Sequence, residues 1–166
     1  MEDDSKITVT PILEVKPFVF KKAAVITTGS EVYKGRIKDT FTPVIIDKLK
    51  EYDVEVVFHK LCPDNPDMVT GAIQEALDMH VDMVICTGGM SVDPDDKTPL
   101  AIKNTGANII SYGSPVLPGA MFLLSYKGDT PIVGLPGCVM YTDALYGVPA
   151  GGTMAHSWIQ MFDNEY

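Results

Sequence analysis

From Thr87 to Asp96 the chain reads TGGMSVDPDD, with two adjacent glycines set between hydroxyl residues and a run of aspartates. Gly88 and Gly89 remove two side chains where a phosphate or a planar ring could approach the backbone. Thr87 and Ser91 can donate hydrogen bonds. Asp93, Asp95 and Asp96 supply carboxylates that suit Mg2+, which takes oxygen ligands at about 2.0–2.1 Å and keeps several waters. The same aspartates would also serve to cap a following helix and complement its dipole, and Asp96, just before Lys97-Thr98-Pro99, could do only that. A second glycine turn lies in TTGSEVYKG, Thr27 to Gly35. There Gly29 permits close backbone approach, and Thr28 and Ser30 offer hydroxyls, although an ordinary strand-to-helix turn would use the same residues. PVLPGAMFLL and GLPGCVM add proline-glycine loops, whose fixed shape suits a pocket wall and equally a hairpin border.

Other chemistries find no support. His59 falls in a strand and His80 at a helix end, with no ligand partners at metal spacing. GxSxG, GxxxxGK[ST] and HExxH are all missing from the sequence. Cys62, Cys86 and Cys138 lie far apart and form no CxxC, which favours reduced thiols over a disulfide framework or a zinc site. The net charge of −9 and pI near 4.6 lack the basic footprint of a nucleic-acid or anionic-membrane binder. An anionic ligand would have to be held locally, by backbone N–H groups and a divalent cation. The acidic start MEDDSKITVT is unlike a signal peptide, and no apolar run approaches the roughly 20 residues of a membrane span, so a cytoplasmic protein is expected.

These residues need elements to position them. AAVITT (Ala23–Thr28), VEVVFHKL (Val54–Leu61) and VDMVICT (Val81–Thr87) read as strands. Asp39–Tyr52 carries Val44, Ile45, Ile46 and Leu49 at helical spacing. Asn65-Pro66 opens a helix through Leu77 with Met68, Val69, Ile73, Ala76 and Leu77 on one face, and Thr98-Pro99 opens a shorter one. AMFLLSY and TPIVGL flank Lys127-Gly128-Asp129, which predicts a hairpin at the sheet edge. The alternation predicts an α/β three-layer sandwich with a mostly parallel central sheet and an antiparallel edge hairpin. In such sheets ligands sit beyond the carboxyl ends of the strands, where Gly29, the Pro63-Asp64 loop, Gly88-Gly89 and Gly134–Gly137 should crowd one rim.

Taken together, VITTGSEVYKGRIKDT, LCPDNPD, VICTGGMSVDPDDKTP and GSPVLPG with GLPG resemble the molybdopterin-binding domain. That domain is shared by Mog/MoaB-type molybdopterin adenylyltransferases, molybdate-inserting molybdenumtransferases and competence-damage-type proteins. The resemblance runs from about Lys21 to Tyr141, the span expected to form the domain, with residues 1–20 as an extended lead-in. It implies that Asp64 and Asp96 serve Mg2+ and catalysis, and that Glu31 is a further acidic ligand. It implies that Gly88, Gly89 and Ser91 form the pterin- and phosphate-binding loop and that Pro136 and Gly137 form the LPG loop. Thr28, Gly29, Ser30 and Thr87 belong to the same expected ligand set. The implied ligands are molybdopterin and a nucleotide, ATP among them; the implied assembly is a dimer or trimer. ITVTP resembles an interdomain segment, which would make this chain a fragment lacking an upstream domain.

The last 25 residues depart from that pattern: after GLPG, in place of asparagine or serine and a long helix, comes CVMY and then an atypical tail at 142–166. From Ala144 the tail resembles nicotinate phosphoribosyltransferases in its GTMAHS segment, yet those enzymes need a barrel of about 250 residues. His156 therefore has no site to serve there. The expected activity is adenylyl transfer to molybdopterin or molybdate insertion in molybdenum cofactor synthesis. Non-catalytic pterin binding, or competence-damage-type hydrolysis of ADP-ribose, are the alternatives. All depend on Glu31, Asp64 and Thr87–Asp96 converging on a single rim.

Overall fold

The computed structural model describes residues 19–91, 93, 95–113 and 120–137. The lead-in before residue 19 and the tail beyond residue 137, with Cys138 and His156, lie outside the described residues.

Six strands form one sheet: β1 (Lys22–Thr28), β2 (Glu55–Cys62), β3 (Met83–Thr87), β4 (Asn108–Tyr112), β5 (Leu123–Lys127) and β6 (Thr130–Leu135), in the order β2-β1-β3-β6-β5-β4. β2, β1, β3 and β6 run parallel, while β5 is antiparallel to both β6 and β4. The α/β sheet with an antiparallel side is the architecture expected. β4 extends that side by one strand that the pattern of apolar residues does not announce: Asn108, Ile110, Ser111 and Tyr112 are all exposed.

Helices α1 (Ser30–Tyr33), α2 (Phe41–Lys50), α3 (Pro66–Asp78) and α4 (Thr98–Asn104) make the connections. Of the three expected strands, β3 is buried along its whole length and β1 in every residue after Lys22, while β2, at the sheet edge, is mostly half-buried. Such continuous apolar runs suit strands covered on both faces. Alternate residues feed two cores. Ala24, Ile26, Val84, Cys86, Leu123 and Ile132 pack beneath α3 and α4. Ala23, Val25, Ile85 and Val133 pack against Ile45 and Leu49 of α2. The result is three layers.

The helix starts are local. Asp39 Oδ1 accepts from the Phe41 and Thr42 N–H groups at 3.0 and 3.1 Å and so opens α2. Asn65 Oδ1 accepts from Asp67 and Met68 N–H at 3.0 and 3.2 Å, with Pro66 in the first turn of α3. On α3 the buried stripe is Val69, Ala72, Ile73 and Ala76. Met68, expected in that stripe, is instead 45% exposed, because it falls in the first turn beyond the sheet's carboxyl edge.

Candidate functional site

Strand register aligns the loops. Thr28 of β1 lies opposite Cys62 of β2, Thr27 opposite Thr87 of β3, and Thr87 opposite Leu135 of β6. Four parallel strands therefore end level, and the segments after them share one rim of the molecule.

On the β1–β2 side, the Ser30 N–H donates to Asp64 Oδ2 at 2.8 Å and the Asp64 N–H donates back to Ser30 Oγ at 3.3 Å. The Gly29 N–H donates to the Cys62 carbonyl at 3.1 Å. Residues 34 positions apart are thus clasped by reciprocal bonds. Glu31 follows Ser30 on α1 and is exposed.

Between β1 and β3 a second lock forms. The Thr98 hydroxyl donates to the Gly88 carbonyl at 2.8 Å. With that proton committed, the Thr28 hydroxyl proton is shared between the Thr87 carbonyl at 3.3 Å and Thr98 Oγ1 at 3.2 Å. Gly88 has φ +83 and Gly89 φ +53. A Cβ on Gly88 would lie 2.1 Å from the Thr28 carbonyl oxygen, so this turn closes onto β1 only with glycine. Next to it Met90 is buried, its Sδ and Cε lying where a Cβ on Gly134 of β6 would stand. Gly134 is therefore a strand residue that makes room for the loop, rather than a loop residue. Pro136 is buried and Gly137 exposed at the end of β6.

Asp96 serves its own loop. Its Oδ2 accepts from the Ser91 N–H and from Ser91 Oγ, the latter at 2.8 Å. No side chain caps α4, whose N-cap is Lys97, so capping is not what Asp96 does. Asp93 shapes the turn, with Oδ1 accepting from the Asp95 N–H at 2.9 Å, and Asp95 is solvated with Lys97 3.8 Å away. Thr87 is fully buried. Strand alternation puts its hydroxyl on the α2 face with Ile85, and its Oγ1 is the buried side-chain polar atom left without a hydrogen-bond partner among the described residues. On that face Thr27 Oγ1 and Thr42 Oγ1 are 2.8 Å apart, Thr42 Oγ1 is 2.9 Å from His59 Nε2, and His59 is 3.7 Å from Asp39. His59 thus braces α2 behind the rim.

The rim unites Ser30 with Asp64, and Thr28 with Gly88 and Thr98. It does not assemble a cage: among the described residues no three His, Cys, Asp or Glu side chains gather to hold a metal, and Glu31, Asp64 and Asp96 stand in no such group. Mg2+ needs none, since it is usually held through one or two carboxylates together with substrate phosphates and waters. Asp64 and Asp96 each engage one oxygen, Oδ2, in loop bonds, and their Oδ1 atoms are hard donors of the kind it takes. The donor chemistry fits. Thr98 and Met90 went unread in the sequence as site components. The signal for Thr98 was a hydroxyl directly before a helix-opening proline, ten residues after Gly88.

A sheet of this topology, with glycine turns and carboxylates along its carboxyl rim, belongs to the class of open α/β proteins, whose ligands sit beyond the carboxyl ends of the strands. Residues 24–146 match the family described as probable molybdopterin binding domain, and the chain belongs to that family. It is 34% identical over 80 residues, 48% of this chain and 18% of the relative, to a CinA-like protein of Mycobacterium avium (strain 104). The match thus spans less than a fifth of that relative's length. Among solved structures, the tungsten cofactor synthesizing protein MoaB of Pyrococcus furiosus is 28% identical with a TM-score of 0.59, over 74% of this chain and 84% of that one. The molybdopterin biosynthesis MoeA protein of Pyrococcus horikosii is 26% identical with a TM-score of 0.61, over 71% of this chain and 30% of that one. CinA of Thermoplasma acidophilum, at 22% identity and TM-score 0.63 over 71% and 89% of the chains, shares the fold.

Proposed function

We propose that the chain binds molybdopterin or its adenylylated form with Mg2+ at the carboxyl rim, acting in adenylyl transfer or molybdate insertion. The observation that carries this reading is the double lock of the rim. Ser30 and Asp64 clasp the first two loops, and Thr28 and Thr98 clasp the Gly88-Gly89 turn, so backbone N–H groups and carboxylates share one edge. The N–H groups of Gly29, Ser30 and Ser91 are taken up within the rim, so phosphate oxygens would be met at the Gly88-Gly89 turn. Asp64 and Asp96 would hold the metal, with exposed Glu31 adding charge beside Ser30. When bound, Mg2+ supplies positive charge between phosphate oxygens. That local charge offsets the net −9 of the chain, which by itself repels such ligands.

The test incubates the full chain with molybdopterin, ATP and Mg2+ and measures adenylylated product and pyrophosphate. Saturable binding without product identifies a pterin-binding module; failure to bind molybdopterin overturns the proposal. A second reading, hydrolysis of ADP-ribose, is favoured by the 34% identical stretch shared with a CinA-like protein. AMP released from ADP-ribose, with no affinity for molybdopterin, would establish it instead. In either case the domain proper is taken as residues 21–141. A homo-oligomer is part of the same proposal, and sedimentation of the full chain tests it.

A further inference from the structure

At the carboxyl end of β4 stands a large exposed aromatic, Tyr112, which the site described above does not use. Register places it. Tyr112 lies opposite Leu123, Leu123 opposite Gly134, and Gly134 opposite Cys86, so the Tyr112 side chain shares with Leu123 and Cys86 the sheet face covered by α3 and α4. That is the face on which Met90 is seated over Gly134 and against which Ala101 and Ile102 of α4 pack. β4 runs parallel to β6, β3 and β1, because β5 is antiparallel to both β4 and β6, and Tyr112 therefore ends at the same rim as the glycine turns. Its surroundings are fixed: the Gly113 N–H donates to the Phe122 carbonyl at 2.9 Å, and Ser111 Oγ donates to the Gly113 carbonyl at 3.2 Å. Even so, 46% of Tyr112 remains exposed. Burial and then the Asp96 carboxylate push its phenol above the ordinary value.

We propose that Tyr112 is a ligand-binding residue whose ring offers the stacking face for the planar heterocycle, pterin or adenine, of a ligand whose phosphate is held by the glycine turns. The inference rests on the proposed function and adds to it where the ring of the ligand lies. A rigidly based, half-exposed aromatic is suited to this, since stacking tolerates any flat ring and loses little side-chain entropy.

The test titrates the full chain, with Mg2+ present, with three probes: a pterin monophosphate, AMP and inorganic pyrophosphate. Tyr112→Ala and Tyr112→Leu should weaken a ring-bearing probe roughly ten- to hundredfold and leave pyrophosphate within about twofold, while Tyr112→Phe stays near wild type. Upfield shifts of the probe's ring protons on wild-type protein report the same contact without a variant. Which of the two ring-bearing probes responds identifies the heterocycle. Unchanged affinity in Tyr112→Leu, equal loss of pyrophosphate, or a wild type that binds pyrophosphate but neither ring-bearing probe overturns the inference alone. A wild type that binds none of the three overturns the proposed function together with it.

Discussion

Asp96 carries two duties that substitution can separate. Its Oδ2 closes the loop onto Ser91, and its Oδ1 is the oxygen that the proposed function assigns to a metal. Asn keeps an acceptor for Ser91 but loses the charge, whereas Ala loses both. Asp96→Asn should therefore unfold within about 1 kcal/mol of wild type yet lose most Mg2+-dependent binding, as calorimetric titration beside thermal melts would show. Full Mg2+-dependent binding in that variant removes Asp96 from the site. Behind the rim, Thr42 links buried Thr27 to His59. Thr42→Val keeps the shape but strands the Thr27 hydroxyl. A loss of roughly 1–3 kcal/mol in urea unfolding is expected, because an unsatisfied buried polar group costs that much.

Two glycines on adjacent sheet elements should respond differently to alanine. At Gly88 the added methyl meets the Thr28 backbone at 2.1 Å and the residue has φ +83; nothing there can yield cheaply. Gly88→Ala should cost about 3 kcal/mol or more and disrupt the rim. At Gly134 the obstacle is the end of Met90, 2.5 Å from the added methyl but flexible. Gly134→Ala should cost nearer 1 kcal/mol, with Met90 displaced from its seat. Paired denaturation curves decide between them. At the end of α3, His80 holds φ +54, and His80→Gly should gain about 0.5–1 kcal/mol. The elements differ in how far local composition specified them. The β1 and β3 strands were legible because a doubly covered strand is apolar throughout, and α2 and α3 because their spacing and capping residues act locally. β4 was not: NIISY is short, exposed on most positions and joined to β5 through a shifted register, so its strand state depends on a partner distant in sequence.

At the scale of the whole molecule, the two described thiols belong to the core. Burial pushes Cys86 far above the ordinary thiol value of 9.0, and raises Cys62 by the same cause. The unfolded chain, with ordinary thiols, releases protons first. Stability from these groups is thus present below about pH 9 and is lost as pH rises beyond it. Denaturant midpoints should fall from pH 8 to 10, and peptide mapping should find Cys86 unalkylated by iodoacetamide until unfolding. Cys62 and Cys86 lie on β2 and β3, on either side of β1, two strand spacings or about 10 Å apart, too far for a disulfide. Composition and the order of apolar patterns settled the class of this protein: enough apolar residues for a core, an alternation of elements that demands a covered parallel sheet, and an acidic charge that requires local devices for any anionic ligand. Short motifs also marked where the glycine turns fall, because turn chemistry is local. What folding alone decided is partnership: that Ser30 clasps Asp64, that Thr98 holds Gly88, that Asp96 turns back to Ser91 rather than to its helix, and that Tyr112 reaches the same rim. The Ser30–Asp64 clasp joins residues 34 positions apart, and strand register, which no local pattern encodes, sets it.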